Sequence, residues 1–184
     1  MILLLCIVLA LGLRVASGGS MGSLGRVRLR GETLLLSLLA VQLAAPALAL
    51  QGVGARVAFY VWLATFPVMV GVAWRNRRQP GMAMIGVGLA LNAMVIAANG
   101  GMPVSPEAVA SITGAAGIVA PAAGDFVHVV LGPATVAPHL ADVIPASGLM
   151  GLASVASPGD CLLIAGVIAA IATLNSRGGS GTRA

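Results

Sequence analysis

The chain has 184 residues, of which 59% are hydrophobic and only 8% charged, and its mean hydropathy is +1.04. No ordinary soluble globular domain carries so little charge, and a disordered chain is excluded because it lacks the apolar content seen here. The ten basic residues are all arginine, against five acids; with the Ala and Gly richness this points to a GC-rich, bacterial genome. The expected partner is the lipid bilayer, not nucleic acid.

In chain order, the first apolar run is Ile2 to Leu13, closed by Arg14. It is short for a hydrocarbon core that takes roughly 17 to 25 helical residues to cross, so residues 2–16 are expected as a tilted span or a half-buried anchor. Cys6 follows Leu-Leu-Leu without the small residue that precedes a lipid-modified cysteine, so both Cys6 and Cys161 are assigned to packing. Further spans are expected at 33–50, 57–74, 82–98 and 160–175. The last is short and relies on Arg177 reaching outward from its end. Read from Met21, the segment through Ala49 also resembles a secretory signal peptide, but its internal position and the spans behind it favour a retained helix. Pro46 and Pro67 lie inside spans, where neighbours can satisfy the carbonyl each one frees.

Charge sets the orientation, because arginines beside membrane helices stay on the cytoplasmic side. Arg14, Arg26, Arg28, Arg30, Arg75, Arg77, Arg78, Arg177 and Arg183 all fall on one side of such a bundle, and Arg56 alone among the arginines falls on the other. The expected fold is an all-α membrane protein, a bundle of about five transmembrane helices in one domain, residues 1–175. The N-terminus lies outside, the C-terminus in the cytoplasm, and residues 176–184 form a disordered tail. Between the last two spans runs a long, partly helical extracytoplasmic loop, residues 99–160.

That loop holds most of the informative polar chemistry. Asn99-Gly100-Gly101 reads as a helix end with a left-handed glycine cap, and Pro103 blocks continuation. Ser105-Pro106-Glu107 reads as a helix start: a capping hydroxyl, a first-turn proline and an acid at the positive end of the dipole. The helix so begun should run to about Ala116. The only histidines, His128 and His139, follow with Asp125, Asp142 and Asp160. Spacing of i,i+3 would set Asp125 with His128, and His139 with Asp142, on common helical faces. Such couples could ligate a divalent metal such as zinc, or supply a general base and its orienting carboxylate. The structural alternative is that Asp125 and Asp160 cap helices while His128, His139 and Asp142 fasten the loop. Apart from Arg14 and Asp160 at span ends, the spans contain no Asp, Glu, Lys, Arg or His, which weighs against an ion-coupled carrier. Asn92 and Asn99 share a helix face and are expected to bond between helices.

The run Arg75-Asn-Arg-Arg-Gln-Pro-Gly81, the segment Asn92 to Val104 with its NGG-MPV element, His128, Leu140 to Pro145 and Ser157-Pro-Gly-Asp160 together resemble an uncharacterised bacterial multi-pass membrane family, a domain of unknown function. The likeness extends from about Arg26 to Leu174, with Ser111 to Gly124 unusually rich in Ala and Gly. It implies the same topology and the same loop positions, and no reaction. With no complete catalytic constellation, the expected role is a small scaffold or accessory subunit, bound to another membrane protein or to copies of itself. Its helices would pack through small-residue faces such as Gly88 to Asn92 and Gly166 to Ala170. The alternative is an outer-face enzyme or metal-binding protein using His128, His139 and Asp142, with Asp125 or Asp160 in support as a further metal ligand; an oligomeric transporter ranks last. No cofactor is assigned.

Overall fold

The structure, a computed structural model, describes residues 29–50, 54–113, 125, 127–149 and 152–176. The expected first span and residues 177–184 lie outside them. Four long helices are α1 (Glu32–Leu50), α2 (Ala55–Arg75), α3 (Met82–Asn99) and α5 (Pro158–Ser176), with the short α4 (Pro106–Thr113) between the last two. The expected spans from 33 onward coincide with them to within two residues at each compared end. The described chain is mostly helical, and α2 and α3 are long and apolar enough to cross a membrane; α1 and α5 contain apolar helical runs at Thr33–Ala45 and Pro158–Thr173. Pro67 sits inside α2 without ending it.

Glycine punctuates the helices where the chain must turn. Gly81 before α3 and Gly100 after it are both left-handed, with φ of 78° and 71°, and the Gly101 N–H closes the end of α3 on the Ile96 carbonyl at 3.1 Å. These conformations cost glycine little and other residues more.

α1 packs on α2, α2 on α3, and α5 lies against α3. Gln42 donates to Thr65 at 2.6 Å midway along the antiparallel α1–α2 pair, and Asn76 holds Arg30 at one end of it. Between α3 and α5 the helix backbones nearly touch. A Cβ added to Gly88 would lie 2.5 Å from the Gly159 carbonyl, and one on Gly166 would lie 2.7 Å from the Gly81 carbonyl. Two glycine pairs a heptad apart thus set this antiparallel crossing, as small residues do where dispersion must hold helices together. The small-residue faces at Gly88 and Gly166, expected to receive a partner, are occupied within the chain. The core is Trp62, Phe66, Leu89, Val95, Ile96, Met102 and Leu163, with Trp62 edge-on to Phe66 at 5.0 Å.

The loop, expected to be partly helical, carries short strands beside its helix. Strand β1 (Met102–Val104) pairs in parallel with β2 (His128–Val130), and β3 (Ile144–Leu149) pairs antiparallel with β4 (Leu152–Ala156). Asp142 lies along the other side of β1: its N–H donates to the Pro103 carbonyl and its carbonyl accepts from the Ser105 N–H, both at 2.9 Å. Pro103 fits in a strand because the contact made there asks only for its carbonyl. α4 packs against β3 and β4, so the loop folds back on itself and over the end of α3.

Candidate functional site

Where β4 turns into α5, Ser157 is the N-cap. Its hydroxyl accepts from the Asp160 N–H at 3.0 Å, and the Asp160 carboxylate accepts from the Ser157 N–H at 3.1 Å. This is a reciprocal capping box. Asp160, expected as the cap itself, is the residue that reaches back. Its other oxygen accepts from the Asn92 amide nitrogen at 2.8 Å, while the Ser157 hydroxyl donates to the Asn92 amide oxygen at 3.0 Å. Asn92 is 6% exposed and Ser157 fully buried. The interhelical bonding expected of Asn92 is therefore present, from α3 to the start of α5. Gly159 allows it, since a Cβ there would collide with the Asn92 amide.

Asp142 is buried beside this cluster, 7% exposed, and its Oδ1 has no hydrogen-bond partner. Burial pushes the carboxyl up to about 7, and the Asp160 carboxylate adds to the shift by repulsion. It makes no couple with His139, which is exposed in a single 3-10 turn, Pro138–Leu140. That turn is not the helix on which an i,i+3 face was expected.

Asp125 and His128 do meet, but not on a helix. One Asp125 oxygen accepts from the N–H groups of Val127 and His128, at 2.8 and 3.1 Å, and the other contacts His128 Nδ1 at 2.8 Å. The aspartate caps the entry to β2 rather than a helix start. Burial would raise its pKa, yet the bond to His128, the Val127 N–H and the imidazole charge hold it below the usual carboxylate value. Among the described residues no group of three or more His, Cys, Asp or Glu is placed to hold a metal.

The remaining polar positions fasten the loop. Asn99 clamps Val136 from both sides, donating to its carbonyl at 3.1 Å and accepting from its N–H at 2.8 Å. This grip sits next to Ala137, whose φ of 52° is otherwise unfavourable for a residue with a Cβ. Ser105 caps α4 through the Ala108 N–H at 3.2 Å and donates to Glu107 at 2.7 Å, which lowers the Glu107 pKa; the Glu107 N–H adds to this. Cys161, expected in packing, is exposed on α5. Ser105 is the cap that the sequence implies, whereas Ser157 was the functional position least visible beforehand; its S-x-x-D spacing with Asp160 was the available signal.

The fold so described defines a class no finer than a mostly helical protein, with two helices long and apolar enough to cross a membrane and a folded-back loop that buries Asp142. Within that class, the chain belongs to the family of unknown function DUF5317, whose sequence model matches residues 26–172. No curated protein and no solved structure matches the chain.

Proposed function

We propose that this chain is a multi-pass protein of the bacterial cytoplasmic membrane, with five spans, the N-terminus outside and the C-terminus in the cytoplasm. Its role is that of a small scaffold or accessory subunit. The observation that carries the reading is the outward face of the helices. Leu36 and Leu43 on α1, Tyr60 and Trp74 on α2 and Met94 on α3 are 58% to 75% exposed. In α2 and α3 only 33% and 39% of the apolar window is buried, whereas a core helix of a soluble protein would be mostly covered. So much apolar surface is costly in water and stable in lipid. The polar side chains Gln42, Thr65, Asn76 and Asn92 instead bond within the fold, which leaves them fasteners rather than substrate contacts.

The test of topology is a cysteine introduced as Glu107→Cys, at an exposed position of α4, in a chain freed of Cys6 and Cys161. An impermeant thiol reagent should modify it on intact cells; modification only after lysis overturns the topology. For the scaffold role, extraction from the native host in mild detergent followed by mass spectrometry should recover a stoichiometric partner or a homo-oligomer. A lone monomer there counts against it.

A further inference from the structure

We propose that Asp142 and Asp160, together with the Ser157 hydroxyl and the Asn92 amide oxygen, form a binding site for a hard divalent cation of the calcium class at the loop-covered end of the bundle.

The proposal starts from the one described buried side-chain oxygen that has no partner, Oδ1 of Asp142. A buried polar atom left unbonded costs about 1–3 kcal/mol, more when charged, and few natural folds keep one without a use. An aspartate whose task is only to fasten the loop would be bonded, as Asp125 is. Asp142 already fastens the loop through its backbone, which bonds to Pro103 and Ser105, so its carboxyl is not needed for that.

Geometry brings the second acid to it. The β3–β4 ladder places Ile144 opposite Ala156; carried back in the same register, Val143 and Asp142 fall opposite Ser157 and Pro158. This sets Asp142 near the start of α5, where Ser157, Asp160 and Asn92 are knotted together. Repulsion between the Asp142 and Asp160 carboxylates is felt in the pKa of the former. Among the described residues, no basic side chain pairs with either acid; the single ion pair is His128 with Asp125. Two carboxylates lacking a counter-charge match a divalent ion in charge. Each Asp160 oxygen accepts one hydrogen bond and keeps a lone pair free.

The donor set selects the kind of ion. All the oxygens are hard, with no histidine or cysteine among them, which disfavours zinc and copper. A calcium-class ion accepts carboxylate, amide and hydroxyl oxygens in irregular numbers and completes its shell with water, so two acids supported by neutral oxygens suffice. This site is distinct from the His128 and His139 positions, and it does not depend on the scaffold reading.

The experiment uses the full chain in detergent, stripped with chelator, at pH 8 and fixed ionic strength. Unfolding is followed by tryptophan fluorescence, to which Trp62 in the core and the exposed Trp74 both contribute. Added CaCl2 should raise the midpoint by about 5 °C or more at saturation, and equilibrium dialysis with radioactive calcium should give one ion per chain. Asp142→Asn should abolish both while Asp125→Asn keeps them. If Asp142→Asn does not fold, Asp160→Asn and the dialysis of the unmodified chain carry the test. Absence of any calcium response, an equal response in Asp142→Asn, or a midpoint that follows pH alone overturns the proposal.

Discussion

The two ends of the helical layer handle polarity in opposite ways. At the turn between α2 and α3, the buried residue is a neutral amide, Asn76, 4% exposed, whose side chain donates to the Arg30 and Val72 carbonyls and accepts from the Arg30 N–H. The charges there, Arg75, Arg77 and Arg78, stay outside, with Arg77 stacked on Trp74 at 5.1 Å. At the opposite end, under the folded-back loop, one acid, Asp142, is taken inside and one of its carboxyl oxygens is left unbonded. The contrast shows that this fold can fasten its ends without burying charge. Its doing so at Asp142 calls for a function rather than for a structural role.

The sharpest way to break the comparison is to pry apart the helices that carry both ends. Gly166→Val would drive a branched side chain against the Gly81 carbonyl and Ile85. Backbone cannot rotate away, so the expected loss is on the order of 5 kcal/mol, above the usual range for overpacking. Circular dichroism should find the detergent-solubilised variant largely unfolded or aggregated. Gly71→Val, at an exposed position of α2 with nothing within 4 Å, should leave the melting midpoint close to that of the unmodified chain.

Next in size is the pH dependence of the buried acid. The Asp142 pKa is raised from 3.8 to about 7, so between those values the folded state binds more proton than the unfolded one. Stability in divalent-free buffer should therefore fall as pH rises from about 4 through about 7, and then level off. Three pH units correspond to a loss on the order of 4 kcal/mol. Chemical denaturation across that range should show the slope, and Asp142→Asn should flatten it. A slope unchanged in the variant would assign the effect to another group.

The helices were legible in the sequence because uncharged runs bounded by arginine, glycine or proline leave few alternatives, and their ends were placed closely for the same reason. The loop was not. Its strands β1 and β2 are three residues each and join segments about 26 positions apart, so no local periodicity announces them. The spacing of Asp125 and His128 correctly implied contact, but through an aspartate turn instead of a helical face. His139 and Asp142 have the same spacing, yet a 3-10 turn and a bridge to β1 send one outward and the other inward. Which acid is buried depends on that tertiary pairing, which no short motif records.

At the arginine end, Asn76→Ala would strip the Arg30 backbone of two bonds and Val72 of one. About 2 kcal/mol is expected, since part of the freed backbone can find water. A thermal midpoint unchanged within error would mean that the α1 end is held by apolar packing alone.

The smallest effect separates the two histidine regions. Asp125→Ala removes the acceptor for two backbone N–H groups and the partner of the His128 ring; about 1 kcal/mol is expected, as for loss of a helix cap. The Asp125 pKa is held low by bonds that outweigh its burial, so its contribution is present above the ordinary carboxylate range and lost as pH falls through the lowered value. His139→Ala, at an exposed position on its 3-10 turn, should shift stability by less than about 0.5 kcal/mol. Should His139 prove the costlier loss, the loop must fold so as to bury it, and the separation of His139 from Asp142 would be wrong with it.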